Sequence, residues 1–191
     1  MSALPTNTLI YVCWGLWAAV WTAGWILNIV RGPRTQRRSL GWSFWMWVLA
    51  FIVFGEGRVR VFTGVLPQSP VLPAVGAILL VAGTAFTLWA RWILGAMWSS
   101  QPSVKSGHEL RTDGPYAITR HPIYTGMCAM ILGGALMQGS TWIVLVVLFA
   151  IYVALKMREE ERLMAATFGD AYARYRITTP QIIPGVHWGS R

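Results

Sequence analysis

The sequence predicts an all-α, polytopic membrane bundle of about five transmembrane helices. Hydrophobic residues make up 55% of its 191 positions and charged ones only 12%, whereas soluble domains carry about 25% charged residues. Long stretches have no charge at all, and the charges between them fall mostly on one side. Twelve tryptophans suit a chain with two membrane interfaces to anchor, because indole is apolar in body and polar at one edge.

The first run, Leu9 to Val30, is 22 residues without a charge, about 33 Å as a helix and enough for a hydrocarbon core of about 30 Å. It ends in Arg31, Arg34, Arg37 and Arg38. With no basic residue before it and no small-residue cleavage site after it, it reads as a retained span whose N-terminus lies outside. A second apolar run, Gly41 to Gly55, continues only through Glu56, Arg58 and Arg60, so its outer end is expected at the interface or folded against the bundle. The third run follows a proline-containing loop, Pro67 to Pro70, and extends from Val71 to Trp98 with one interior charge, Arg91.

Thr125 to Leu155 is 31 residues without a charge, too long for one crossing, with Gly133, Gly134, Gln138, Gly139 and Ser140 at its middle. Two helices joined by a tight turn near Gly139 are predicted, the last running on through Lys156 into Glu161. On this topology 13 of the 16 basic residues face one side, as the positive-inside rule requires for a cytoplasmic C-terminus. Residues 1–191 read as one integral-membrane domain.

The net charge of +9 raises the question of nucleic acid, but the charges lie between apolar runs and no reading motif accompanies them. Partnership with anionic membrane lipids is expected and nucleic acid is not. Cys13 and Cys128 lie within apolar stretches, so they are expected as separate thiols, forming neither a disulfide nor a metal site.

Three clusters carry polar chemistry on the cytoplasmic side. The stretch Gly114 to Gly126 contains Gly-Pro-Tyr and Arg-His-Pro within nine residues. Pro122 suits the first helical position, which makes His121 a candidate cap and sets Tyr124 on the same face of the first turn. Lys156, Arg158, Glu159, Glu160, Glu161 and Arg162 crowd the end of the last long helix. There Lys156 shares a helix face with Glu160, and Arg158 shares one with Glu161. Arg91 either snorkels to the headgroups or faces a polar cavity and pairs with an anion. Taken singly, each residue also has a plain structural reading: a backbone-bonded His121, an interfacial Tyr124, a solvated charged helix end.

The Arg-His-Pro-x-Tyr-x-Gly core, followed after a helical hairpin by Glu160-Glu161, Leu163, Phe168-Gly169, Tyr172, Tyr175 and Pro184-Gly185, resembles the isoprenylcysteine carboxyl methyltransferases and the related integral-membrane phospholipid methyltransferases. The resemblance covers roughly residues 91–186. It implies a C-terminal cytoplasmic pocket for S-adenosyl-L-methionine, with His108, Leu110, Tyr116, His121, Tyr124 and Glu160 as cofactor-binding residues. It also implies catalytic or acceptor-side roles for Arg91 and Lys156. The carboxyl methyltransferases carry a basic residue ahead of the glutamates. The matching Lys156 is not Arg, and Lys cannot form the planar bidentate pair with a carboxylate that Arg forms.

The residues agree with this independently. No Gly-rich nucleotide-binding turn such as G-x-G-x-x-G is present, so a nucleoside cofactor has to be held by helix ends and loops. The expected acceptor is a lipidic or small hydrophobic molecule entering from the bilayer, and the expected location is an inner membrane of bacterial type. A phospholipid amine N-methyltransferase, an NADPH-dependent membrane reductase and a non-enzymatic transporter or assembly subunit are the alternatives. The last would shift importance to Asn28, Thr84 and Thr87 near mid-membrane. Oligomeric state is not expressed in the sequence.

Overall fold

The computed structural model describes residues 6–31, 69–95, 110–138 and 141–186. All regular structure among them is helical: α1 (Thr6–Arg31), α2 (Val71–Leu94), the single turn α3 (Pro115–Ile118), α4 (Pro122–Gln138), α5 (Thr141–Phe168) and α6 (Asp170–Thr178). The break foreseen near Gly139 falls between the end of α4 and the start of α5. The expected second span, Gly41 to Gly55, lies outside the described residues. Among the described helices, α2 is long and apolar enough by itself to cross a membrane.

The centre of the bundle is the contact of α2 with α4, set by glycine. A Cβ built on Gly83 would lie 2.6 Å from the Gly126 carbonyl oxygen, and one on Gly133 would lie 2.6 Å from that of Gly76. Seven residues separate Gly76 from Gly83 and Gly126 from Gly133, two helical turns, so both pairs fall on one seam. Backbones meet there with no side chain between them, the close approach that small residues permit in membranes.

Around this seam α1 contributes Ile10, Cys13, Trp17 and Trp21, and α5 contributes Phe149, Val153 and Met157 to one core with Leu80, Met130, Ile131 and Ala135. The three- and four-residue steps place each set on one helix face. Trp17 and Trp21 stack with ring centroids 4.6 Å apart inside that core. They are packing residues, in contrast to the interfacial role the tryptophan content suggested, because the four-residue step turns both inward. Trp89 and Trp92 are exposed, as belt residues would be.

The outer faces are apolar as well. Tyr11, Val12, Leu16, Val20, Val71, Val75, Ile78, Val147, Leu148, Ile151 and Leu155 are all exposed, more large apolar surface than water tolerates on a small chain. A hydrocarbon solvent accounts for it.

At the polar end, Gly169 has φ +49°, a conformation that favours glycine. Its N–H closes on the Ala165 carbonyl while its own carbonyl receives the Ala173 N–H. The chain thereby turns from α5 into α6 and back toward the start of α4.

Candidate active site at the polar ends of α4 and α5

Pro122 opens α4, and the His121 carbonyl accepts the first intrahelical bond, from the Thr125 N–H at 3.0 Å. His121 is therefore the N-cap, which fixes its side chain at the mouth of the helix. Tyr124 lies on the same face, its ring 5.9 Å from the imidazole.

The end of α5 meets this turn. His121 Nδ1 is 3.4 Å from Glu160 Oε2, and Nε2 is 3.3 Å from Glu161 Oε1. The Tyr124 hydroxyl donates to Glu160 Oε1 at 2.7 Å. Arg120 Nη1 lies 2.9 Å from Glu161 Oε1, and Gln181 Nε2 donates to that oxygen at 3.1 Å.

These groups stand beyond the apolar part of the helices, and their charges follow from the geometry. Burial by itself would depress the His121 pKa, but hydrogen bonds and charge from Glu160 and Glu161 outweigh it and raise the pKa above the ordinary 6.5. Burial would raise Glu161, yet the His121 hydrogen bond and the charges of Arg120, His121 and Arg176 hold it below the ordinary 4.5. A carboxylate at each ring nitrogen favours the doubly protonated imidazole, which donates from both.

The network also sets a pH dependence of stability. The raised His121 contributes fully below 6.5 and is lost as pH rises through its folded value. The depressed Glu161 contributes fully above 4.5 and is lost as pH falls through its folded value. Thermal midpoints in detergent are expected to be highest between those two values. His121→Asn should flatten the alkaline limb and Glu161→Gln the acid one.

Tyr116 is buried in α3, and its carbonyl accepts the Tyr175 hydroxyl at 2.6 Å. Its phenol is pushed up by burial first, then by the charges of Tyr175 and Glu160, with Arg91 acting in the opposite sense, so Tyr116 lies within electrostatic reach of both Glu160 and Arg91. Tyr172, three residues before Tyr175 on α6, is 2% exposed. Burial first and the charge of Glu161 second push it up to about 12, while the charges of Arg120 and Arg176 and a hydrogen bond with Arg120 oppose them.

Arg91 is buried, its Nη1 donates to the Gly95 carbonyl at 2.8 Å, and its guanidinium lies against Gly24 of α1, where a side chain would displace it. Lys156 pairs with Glu159 at 3.2 Å and not with Glu160, which Tyr124 and His121 engage. Arg158 is exposed, and Glu161 turns instead to Arg120, His121 and Gln181. Leu110 is half-buried ahead of α3, and His108 lies outside the described residues. Thus His121, Tyr124 and Glu160 are in direct contact, Tyr116 feels the charges of Glu160 and Arg91, and Lys156 stands apart. Arg120 and Gln181 were not singled out in the sequence. Arg120 sits inside the motif, but Gln181 carries no sequence signal, being brought in by the chain reversal after α6.

Residues 71–171, more than half of the chain, match the sequence profile of the phospholipid methyltransferase family. The chain belongs to that family. Among relatives of this family member, the cobalt-zinc-cadmium resistance protein CzcN of Cupriavidus metallidurans is 32% identical over 140 residues, 72% of this chain and 58% of that protein. The protein-S-isoprenylcysteine O-methyltransferase of Schizosaccharomyces pombe is 38% identical over 80 residues, 40% of this chain and 34% of that one. The chain thus aligns with little more than half of the first relative and a third of the second. The solved eukaryotic intramembrane Ras methyltransferase ICMT shares the fold, with a TM-score of 0.61 over 97% of this chain and 70% of that one at 19% identity. The resemblance to isoprenylcysteine methyltransferases drawn from the Arg-His-Pro-x-Tyr-x-Gly and Glu160-Glu161 motifs is borne out, and the described residues are all-helical with a fold like that intramembrane enzyme's.

Proposed function

We propose that this chain is an integral-membrane, S-adenosyl-L-methionine-dependent methyltransferase acting on a lipidic or small hydrophobic acceptor. One observation carries the reading. Glu160 is tied on one oxygen by Tyr124, faces the His121 cation with the other, and keeps 29% of its side chain exposed. An α-amino-acid moiety needs a carboxylate for its ammonium, and Glu160, held in place by Tyr124 and His121, offers one with an open flank. Tyr116 and Leu110 line the approach for the nucleoside, with His108 as a further contact from the preceding loop.

When bound, the cofactor supplies an electrophilic methyl on a sulfonium. The protein's part is alignment and charge rather than proton chemistry. His121, fully engaged as a donor, does not serve as a base. An acceptor that arrives anionic therefore fits better than an ammonium that must first lose a proton. Arg91, near Tyr116 at the inner end of α2, and Lys156 on α5 are the acceptor-side cations. The acceptor enters from the bilayer between apolar outer faces, while the cofactor enters from the water at the polar helix ends. The N-terminus lies outside and the site is cytoplasmic, in an inner membrane of bacterial type. The chain is a single domain of about five spans, with the cofactor-binding part in residues 91–186.

A phospholipid amine as acceptor is the second reading, favoured by the profile match over residues 71–171. A transporter finds less support. Thr84 and Thr87 close on the carbonyls of Leu80 and Gly83 of their own helix, at 2.7 and 2.8 Å, which leaves them little to offer a solute. The test is transfer of a labelled methyl group from S-adenosyl-L-methionine to extracted host lipids by the purified protein. Label in an ester of a lipidic acid supports the first acceptor class and label on a headgroup nitrogen the second. No transfer to any lipid fraction or small hydrophobic acid overturns the reading.

A further inference from the structure

The two adjacent glutamates at the polar end of α5 are held in unlike ways. Glu160 has two partners and an open flank. Glu161, with only 13% of its side chain exposed, gathers Arg120, Gln181 and His121 on the single oxygen Oε1, at 2.9, 3.1 and 3.3 Å. An oxygen that takes two hydrogen bonds and lies against the Arg120 guanidinium has no room for a ligand's ammonium.

Gln181 belongs to a strap, residues 179–182, that runs beside the start of α4. The Arg120 N–H donates to the Pro180 carbonyl at 2.9 Å and the His121 N–H to the Gln181 carbonyl at 3.1 Å. The Thr125 hydroxyl donates to the Ile182 carbonyl at 2.7 Å. These three bonds use only main-chain acceptors of the strap. Backbone carbonyls recur at every residue, so these main-chain acceptors do not by themselves select a register. In the observed register the Gln181 amide reaches Glu161, a side-chain contact that adds to the packing of Ile182 against the core.

We propose that Glu161 and Gln181 are positioning residues. Glu161 is the clasp that locks the register of the strap, and the strap, by capping Arg120 and His121, sets the imidazole against Glu160. As a role toward the cofactor this rests on the methyltransferase reading. The clasp itself is a property of the ligand-free protein.

Two variants separate the clasp from simple packing. Gln181→Met keeps length and backbone carbonyl but has no N–H donor, whereas Gln181→Lys restores a donor to Glu161. Calorimetry in detergent with S-adenosylhomocysteine is expected to show about tenfold weaker binding for Gln181→Met, the scale of one hydrogen bond to a charged group. Gln181→Lys is expected to stay within about threefold of the parent, because the charge-assisted bond is retained. Amide hydrogen exchange at Arg120 and His121, measured without ligand, should speed up in Gln181→Met and in Glu161→Ala and remain parent-like in Gln181→Lys. Parent-like affinity and exchange in Gln181→Met, or equal loss in the Met and Lys variants, overturns the proposal. If the parent binds no S-adenosylhomocysteine, the methyltransferase reading falls, and exchange at Arg120 and His121 still decides the clasp.

Discussion

Glu160→Ala is expected to weaken S-adenosylhomocysteine binding about 100-fold, because truncating one partner of a hydrogen-bonded charge pair costs about 2 to 5 kcal/mol and each 1.4 kcal/mol is tenfold. Three losses combine. The Tyr124 hydroxyl loses the acceptor at 2.7 Å, the His121 cation loses one of its two carboxylates, and the ligand ammonium loses its counter-charge. Glu160→Gln retains an acceptor for Tyr124 but not the charge, so it should fall between, about tenfold weaker. Glu159 pairs with Lys156 from a 63% exposed position, and Glu159→Ala is expected within about twofold of the parent. Calorimetry on the three variants checks the series. Equal affinities for Glu160→Ala and Glu159→Ala would remove Glu160 from the site.

Gly83→Leu and Gly133→Leu are expected to lose the native bundle, each costing about 3 kcal/mol or more, since overpacking at a site that cannot relax exceeds the usual range. A Cβ on Gly83 would meet the Gly126 carbonyl at 2.6 Å. One on Gly133 would meet the Gly76 carbonyl at 2.6 Å and the Leu80 nitrogen at 2.7 Å. All of these are backbone atoms of a facing helix, which no rotamer change can move. Gly15 has nothing within 4 Å of its Cβ position, so Gly15→Ala should be tolerated and stabilise α1 by up to about 1 kcal/mol. Unfolding by sodium dodecyl sulfate in mild detergent reads the difference. The effect should reach the site as well, because α4 carries His121 and Tyr124 at its start and α2 carries Arg91 near its end.

The helical class and the hairpin break were legible because an uncharged 31-residue stretch exceeds one membrane crossing and glycine marks where it turns. The cap was legible because Pro122 suits the first position of a helix. The charged end of α5 was legible only as a cluster. Helical spacing assigned Lys156 to Glu160 and Arg158 to Glu161, whereas the fold pairs Lys156 with Glu159 and turns Glu160 and Glu161 toward α4. Local i, i+4 attraction is worth about a few tenths of a kcal/mol on an exposed face, and a half-buried tyrosine and arginine with a buried histidine outweigh it. Two of the twelve tryptophans were misplaced for a related reason: composition counts indoles, and only the neighbouring helix decides that Trp17 and Trp21 face inward.

By itself the sequence determined the solvent, the helices and the polar motifs, since apolar run length, glycine and proline act within a few residues of where they stand. The tertiary structure alone decided which glutamate faces the open flank and which is spent on the strap. Those contacts join residues 20 to 40 positions apart, and their partners are chosen by how α4, α5 and the returning strap pack, a distance over which local spacing carries no information.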